Sequence, residues 1–375
     1  MNNNVDRDNL NRRYDLKTYD FALDDSRIAV SPYEKRDEAN LLVFDREKNK
    51  ADSLKFRDIS GYFKTGDMLV LNETKVFKAR LFGTKQPTGA RIEVLLLRRV
   101  GENDFTALIK PSRRVREGTV IKIDGGDLEA VIVSREDSEG AWVVSLKKLC
   151  RKNEGIFEII DSCGHVPLPP YIVKNKPHIP GNDGCDDDAD RDGYQTVFAR
   201  VTGSVAAPTA GFHFTPELLS VLLNKGVAVE KVVLHVGLGT FKLVESEDIR
   251  EHKMHSEPVS IDRKTYEKIS GFIKNKNGGR LFCCGTTSVR SIESFDRLSY
   301  KKETDSYETD TDIFIYEGYK FKYTDAIITN FHLPKSTLLM MIGAFMGIEN
   351  MKSAYEYAIK NGFLFYSYGD AMLII

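Results

Sequence analysis

The decisive stretch of this chain is Val205-Ala-Ala-Pro-Thr-Ala-Gly-Phe-His-Phe-Thr-Pro216, which continues to Leu218. It places a run of small residues before His213 and then opens a helix, because Thr215 is a good N-cap and Pro216 suits the first helical position. Small residues let a backbone approach a ligand closely, and a histidine among them can move a proton near neutral pH. The stretch therefore predicts a loop-to-helix transition at a candidate ligand site.

Three later segments have the same character: His235-Val-Gly-Leu-Gly-Thr240, Gly285-Thr-Thr-Ser-Val-Arg290 and Asn330-Phe-His-Leu-Pro-Lys-Ser336. The last two follow predicted strands and precede predicted helices. In open α/β sheets, ligands bind beyond the carboxyl ends of the strands. We therefore expect one site built from several loops, with hydroxyls and backbone N–H groups at a helix N-terminus able to hold an anion. Plain capping by Thr287 or Ser288 is the alternative at that helix.

The periodicity changes twice along the chain. Short apolar segments separated by turn signals recur between Met68 and Leu146, a pattern typical of a small antiparallel barrel or sandwich. After residue 150, short apolar strands alternate with helical segments. The sequence predicts an α/β fold: a large, discontinuous α/β catalytic domain (1–66 and 150–375) with an inserted small antiparallel β-barrel domain (67–149). Segments 174–193 and 299–312 are polar and are predicted to be mobile loops.

Composition limits the class of protein. The chain has 375 residues, a net charge of −1 and 41% hydrophobic residues, which suits a globular protein with a large core. It has no signal-peptide pattern and no apolar run long enough to span a bilayer, so we expect no membrane partner. Five cysteines without a C-x-x-C pair favour a reducing, cytoplasmic location. Nothing demands an oligomer, and we expect a monomer.

Common cofactor and metal motifs fail on their spacing. Gly237-Leu-Gly239 begins like a dinucleotide fingerprint, but Lys242 stands at the third glycine position, and no Walker A pattern occurs. Residues 251–257 match no zinc-protease spacing, and the Asp188-x-Asp190-x-Asp192 run lacks the glutamate of a calcium loop. We therefore predict no metal and no bound cofactor.

A cluster of basic residues lies in the predicted barrel between Arg98 and Lys122. Such a patch in a nearly neutral chain could follow a phosphate backbone, and a solvated barrel rim is the alternative.

Blocks of residues in order along the chain resemble the S-adenosylmethionine:tRNA ribosyltransferase-isomerases of the queuosine pathway. The resemblance rests on Ser31-Pro-Tyr-Glu-Lys-Arg36, the 203–215 stretch, His252-Lys-Met-His-Ser-Glu257, the Gly285 and Asn330 segments and Tyr368-Gly-Asp-Ala-Met372, among others. It implies an α/β domain with an inserted β-barrel. It also implies an enzyme that consumes S-adenosylmethionine as a co-substrate and transfers and isomerises its ribosyl part. The acceptor is 7-aminomethyl-7-deazaguanine in the wobble position of tRNA, and epoxyqueuosine, adenine and methionine are the products.

Candidate roles follow from this resemblance and from loop context. His213 or His235 is expected to be the base, with His332 as the other proton-transfer group and His252 and His255 as second choice. Asp370 is expected to orient or deprotonate the substrate amine. The remaining candidates are substrate-binding residues Gly211, Phe212, Thr286, Thr287, Ser288, Arg290, Asn330, Phe331, Lys335 and Tyr368, and tRNA-binding residues Lys110, Arg113 and Arg114.

Two other functions remain open from the sequence alone. An S-adenosylmethionine-dependent RNA methyltransferase would release S-adenosylhomocysteine, but the expected glycine-rich loop after the first strand is absent. A non-catalytic RNA-binding protein would bind tRNA without turnover.

Overall fold

The structure is a computed structural model that describes residues 12–136, 140–149, 154–175, 192–237 and 243–375. Most of predicted loop 174–193 and residues 238–242 therefore lie outside the described residues. The strands of the large sheet are β1 (Asn40–Asp45), β2 (Lys50–Lys55), β3 (Met68–Asn72), β12 (Ala228–Leu234), β13 (Glu257–Asp262), β14 (Leu281–Cys284), β15 (Ser299–Lys301), β16 (Ser306–Thr311), β17 (Ala326–Asn330) and β18 (Ala371–Ile374). The strands of the barrel are β5 (Arg80–Lys85), β6 (Ala90–Arg99), β7 (Asp104–Lys110), β8 (Val120–Ile123), β9 (Leu128–Arg135) and β10 (Trp142–Lys148). A short ribbon is formed by β4 (Thr74–Val76) and β11 (Val201–Ser204).

Seven α-helices lie within the described residues. They are α1 (Ile156–Cys163), α2 (Pro170–Asn175), α3 (Pro216–Asn224), α4 (Arg263–Lys274), α5 (Thr286–Glu293), α6 (Thr337–Met346) and α7 (Ile348–Lys360). As predicted, Thr215 caps α3 by accepting from the Leu218 amide at 3.1 Å, and Pro216 is its first residue. Every one of these helices is too short or too polar to cross a bilayer.

The large sheet has ten strands in the order β15-β16-β13-β12-β3-β14-β17-β18-β1-β2. Its central strands β12, β3, β14 and β17 are mutually parallel, which places their carboxyl ends along one edge. Both faces are covered: Met68 and Val70 of β3 pack with α5, α6 and α7, whereas Leu69 and Leu71 pack with α3. This double burial explains the continuous apolar sequence of β3.

The predicted fold class is confirmed. A mixed α/β part accompanies a closed barrel in the order β10-β7-β6-β5-β8-β9, and the barrel has its own core around Phe105 and Val144. The α/β part is discontinuous in sequence, because β1 to β3 precede the barrel and β12 to β18 follow it.

Two boundary predictions are wrong. Met68–Asn72 was assigned to the barrel, but it is the central strand β3 of the large sheet, and the barrel strands begin at Arg80. Segment 299–312 is not a mobile loop: β15 and β16 form an antiparallel hairpin at the edge of the large sheet. Its polar sequence reflects this edge position, where β15 is exposed along its whole length.

Candidate active site

A pocket lies at the carboxyl ends of β14 and β17, where the sequence places the Gly285 and Asn330 loops. We call it the inner pocket. Its lining residues are Tyr171, Ala206, Ala207, Pro208, Thr209, Ala210, Val236, Gly285, Thr286, Thr287, Thr329, Asn330, Phe331, His332, Leu333, Ser336, Leu338, Tyr366 and Ser367. Most of the exposed wall surface is apolar, although eight of the lining residues carry a hydroxyl, one carries an amide and one an imidazole. Such a composition suits an organic ligand that is oriented by a few polar contacts.

The N-terminus of α5 forms one wall of the inner pocket. Gly285 has a φ of +83°, a conformation that favours glycine, and it turns the chain from β14 into the helix. Thr286 and Thr287 face the pocket, and Thr287 Oγ1 accepts a hydrogen bond from Asn72 Nδ2 at 3.1 Å. Ser288 does not line the pocket, because its hydroxyl donates to the Cys284 carbonyl at 2.7 Å within the helix. Only the two threonines therefore offer side chains to a ligand here.

Arg290 points away from the inner pocket. Its Nη1 donates to the Glu257 carboxylate and its Nη2 donates to the Thr311 carbonyl at 3.1 Å, with both charged side chains 5% exposed. It lines a small side pocket together with His252 and His255. Glu257 also accepts from the Gly237 amide at 2.9 Å. The Arg290–Glu257 pair therefore joins α5 to the turn after β12.

Hydrogen bonds from Asn330 connect its own strand, β17, with two other segments of the chain at the wall of the inner pocket. Its Oδ1 accepts from Thr209 Oγ1 at 2.8 Å, while its Nδ2 lies 3.4–3.5 Å from the carbonyls of Gly369 and Asp370. These carbonyls fix the amide orientation, so Nδ2 donates to His213 Nε2 at 3.2 Å.

His213 lies behind the wall of the inner pocket. It lines a separate small pocket with Pro32, Tyr33 and Arg36, and its ring packs on Phe56 with centroids 5.0 Å apart. Burial lowers the pKa of His213 to about 4, an effect that the Asp370 carboxylate partly offsets. Because Nε2 of His213 already accepts a hydrogen bond from Asn330, we interpret the role of this ring as structural.

Asp370 is fully buried and lines none of these pockets. Its Oδ1 accepts from the Tyr33 hydroxyl at 2.8 Å and from the Asn40 amide at 2.7 Å. Its Oδ2 accepts from Asn40 Nδ2 at 3.1 Å and from the Leu364 amide at 2.8 Å. With these four donors, the side chain of Asp370 connects β1 to the segment that leads into β18.

Several of the residues that were expected to bind substrate instead pack against other side chains of the protein. A Cβ at Gly211 would meet Phe198 at 2.6 Å, so the glycine permits this contact instead of a ligand contact. Phe212 and Tyr368 belong to an aromatic cluster with Tyr194. Phe331 touches the inner pocket but is fully buried.

Lys335 lies outside the inner pocket. Its ammonium pairs with Asp20 at 2.8 Å, and its backbone adopts a φ of +58° in the turn before α6.

His332 is the predicted histidine that lines the inner pocket. Its Nε2 lies 2.7 Å from Thr329 Oγ1, and its backbone amide donates to the Tyr355 hydroxyl at 3.0 Å. Burial lowers the pKa of its imidazole to about 3, so the ring is neutral near pH 7.

His235 faces a second and larger opening, between the barrel and the large sheet. We call this opening the outer cleft. Its lining residues are Leu97, Arg98, Arg99, Thr106, Leu108, Glu136, Ala141, Phe157, Thr202, Gly203, His235, Val236, Gly237, Met254, His255, Ser256, Glu257 and Pro258. Val236 also lines the inner pocket, so the two spaces share a wall immediately after β12.

The β4–β11 ribbon holds the His235 ring. Thr74 Oγ1 lies 2.8 Å from His235 Nδ1, and a Cβ at Gly203 would come within 2.6 Å of the imidazole. The ring is therefore seated on Gly203 and tethered by Thr74. Burial lowers the pKa of His235 to about 4. The sequence indicates no contact of Thr74 or Gly203 with His235, because only the fold brings the ribbon to this ring.

The basic residues divide between two regions of the barrel. Arg98 and Arg99, at the end of β6, line the outer cleft. Lys110, Arg113 and Arg114 are exposed at the opposite end of the β6–β7 hairpin and line none of the pockets described above. Their contact with tRNA stays a prediction. Among the described residues, no group of three or more potential ligands could hold a metal ion.

The inner pocket, with its mostly apolar wall, shares Val236 with the outer cleft, which Arg98 and Arg99 line, and this arrangement suits an enzyme that joins a small co-substrate to a larger partner. The family model described as queuosine biosynthesis protein matches residues 16–374. A curated relative from Thermosipho africanus, named S-adenosylmethionine:tRNA ribosyltransferase-isomerase, is 46% identical over 359 residues, which cover 96% of this chain and 99% of that protein. The crystal structure of the S-adenosylmethionine tRNA ribosyltransferase from Thermotoga maritima is 32% identical, with a TM-score of 0.51 over 96% of this chain and 100% of that one. The chain belongs to this family of queuosine biosynthesis enzymes.

Proposed function

We propose that this chain transfers and isomerises the ribosyl moiety of S-adenosylmethionine onto tRNA, with the inner pocket for S-adenosylmethionine and the outer cleft for the tRNA base. The observation that carries this proposal is the shared wall at Val236. Because Val236 lines both spaces, a group held in one lies close to a group held in the other. We further propose 7-aminomethyl-7-deazaguanine as the acceptor and epoxyqueuosine, adenine and methionine as the products.

The inner pocket suits the co-substrate for chemical reasons. Its apolar wall can cover the adenosine, and the two threonines at the start of α5 can meet the carboxylate of the methionyl part. There, backbone N–H groups and the helix dipole favour negative charge. The adenine must leave as the ribosyl group is transferred, so a proton donor is needed. His332 lines the inner pocket, and His235 and His255 line the outer cleft.

The outer cleft suits a nucleic acid. Arg98 and Arg99 add positive charge to its rim, while the chain as a whole is nearly neutral. We assign the tRNA contact first to these two residues. Lys110, Arg113 and Arg114 remain candidates for a more distant part of the tRNA. Cytoplasmic location, a monomeric state and the absence of a bound cofactor also stay predictions.

The test follows the products. The protein is incubated with S-adenosylmethionine labelled in the adenine and the methionyl methyl group, and with tRNA carrying the aminomethyl precursor. We expect free adenine and free methionine in equal amounts, and no S-adenosylhomocysteine. Release of S-adenosylhomocysteine would indicate a methyltransferase, and tRNA binding without any release would indicate a binding protein.

A further inference from the structure

The Thr74–His235 pair constrains which ring nitrogen carries the proton. Thr74 is fully buried, and within the described part of the chain its hydroxyl has one hydrogen-bond partner, His235 Nδ1 at 2.8 Å. A hydroxyl has one proton to donate and two lone pairs with which to accept. If Nδ1 carried the imidazole proton, the Thr74 hydroxyl would accept it and its own proton would point at no acceptor. Folded proteins avoid a buried donor without a partner.

Donation by Thr74 to Nδ1 satisfies both groups. The neutral imidazole then carries its proton on Nε2, which makes no hydrogen bond to any described residue and belongs to a ring that lines the outer cleft. We propose that His235 acts as a neutral Nε2–H hydrogen-bond donor to the substrate in the outer cleft, and that Thr74 is the positioning residue that fixes this tautomer. This inference rests on the proposed function, and it reverses the role of base that the sequence indicated for His235.

The chain supplies its own comparison. His332 meets a threonine through the other nitrogen: Nε2 lies 2.7 Å from Thr329 Oγ1, and Thr329 is 1% exposed with this single described hydroxyl partner. The same reasoning gives His332 the Nδ1–H tautomer. His213, whose Nε2 accepts from Asn330, is also an Nδ1–H imidazole. We therefore expect His235 to carry its proton on Nε2, unlike His332 and His213. A proton acceptor for the reaction must be another group, and His255 is an imidazole that lines the outer cleft.

The experiment reads the tautomers directly. Long-range ¹H–¹⁵N correlation spectra of the full chain with ¹⁵N-labelled histidine, near pH 7, distinguish a protonated from an unprotonated ring nitrogen. Single His→Gln variants assign the signals. We expect Nε2–H for His235 and Nδ1–H for His332 and His213. An Nδ1–H tautomer for His235 in the unsubstituted protein would overturn the proposal, whether or not the enzyme turns over.

Two variants test the role of Thr74. Thr74→Val keeps the shape but removes the hydroxyl, and it should mix the His235 tautomers and lower kcat about tenfold, with the KM for S-adenosylmethionine unchanged. Thr74→Ser should restore both the spectrum and kcat. A Thr74→Val protein with the original tautomer and full kcat contradicts the positioning role. If Thr74→Val does not fold, the spectrum of the unsubstituted protein decides. Failure of the proposed function would appear differently, as no adenine release by the unsubstituted protein.

Discussion

The sequence indicates that Asp370 is a catalytic carboxylate, but its contacts in the structure stabilise the fold. Its four donors come from Tyr33, Asn40 and Leu364, so the carboxylate joins the N-terminal segment around β1 to the C-terminal segment that leads into β18. A side chain with this many fixed donors has no lone pair to spare for a substrate amine. We infer that its contribution is to stability.

Asp370→Asn should therefore destabilise the protein without altering the chemistry. The amide places its own N–H groups against backbone and hydroxyl donors, which should cost about 2–3 kcal/mol in the free energy of unfolding. Urea unfolding measures this loss, and Asp310→Asn, at an exposed position of β16, is the control. The folded variant should release adenine at a rate within about twofold of the original, as expected for a residue outside the transition-state contacts. Normal stability together with a loss of adenine release would indicate that Asp370 is a catalytic residue.

The N-terminus of α5 is the element in which two neighbouring hydroxyls have opposite roles. Thr286 faces the inner pocket, whereas the Ser288 hydroxyl bonds within the helix. Thr286→Val should raise the Kd for S-adenosylmethionine about three- to tenfold, the loss expected for one hydrogen bond. Ser288→Ala, the matched control, should leave this Kd unchanged. Calorimetric titration measures both, and equal effects of the two changes would remove Thr286 from the ligand site.

Elements with a local signal could be predicted from the sequence. The strand–glycine–threonine–helix pattern at 281–293 and the N-cap at Thr215 depend on neighbouring residues, and the structure has both. The roles of Arg290 and Asp370 depend on partners far along the chain, Glu257 and Tyr33, which no local pattern reveals. The continuous apolar run of β3 differs from the alternating burial of barrel strand β6. It is typical of a strand that is covered on both faces, so this pattern could have placed β3 in the centre of the large sheet.

The outer cleft is a feature of the whole molecule, because the barrel and the large sheet both line it. Arg98→Ala should weaken tRNA binding about three- to tenfold and make the slope of log K against log salt less negative by about 0.7–0.9, as expected for the loss of one phosphate contact. Lys110→Ala, at the other end of the hairpin, is the control. Filter binding at several salt concentrations measures both slopes. The reverse ranking would place the tRNA on the predicted patch around Lys110.

Buried histidines make the stability of the whole molecule sensitive to acid. Burial lowers the pKa of His213 and His235 to about 4 and that of His332 to about 3 in the folded protein. The unfolded chain binds these protons near pH 6.5, so full stability is present above that pH. It is then lost as the pH falls towards 4, at about 1.4 kcal/mol per pH unit for each histidine. Urea unfolding between pH 7 and 5 should show a free energy of unfolding that falls as the pH falls. His213→Gln should reduce this slope by the equivalent of one proton, and an unchanged slope contradicts the burial effect.

The position of β18 has a consequence for synthesis on the ribosome. β18 lies between β17 and β1, so the β1–β2 hairpin pairs with the rest of the large sheet through β18. The barrel strands, by contrast, are contiguous between Arg80 and Lys148. We expect the barrel to close while the chain is still being translated, and β1 and β2 to stay unpaired with the sheet until more than about three hundred further residues have emerged. The chain would then depend most on chaperones during that interval.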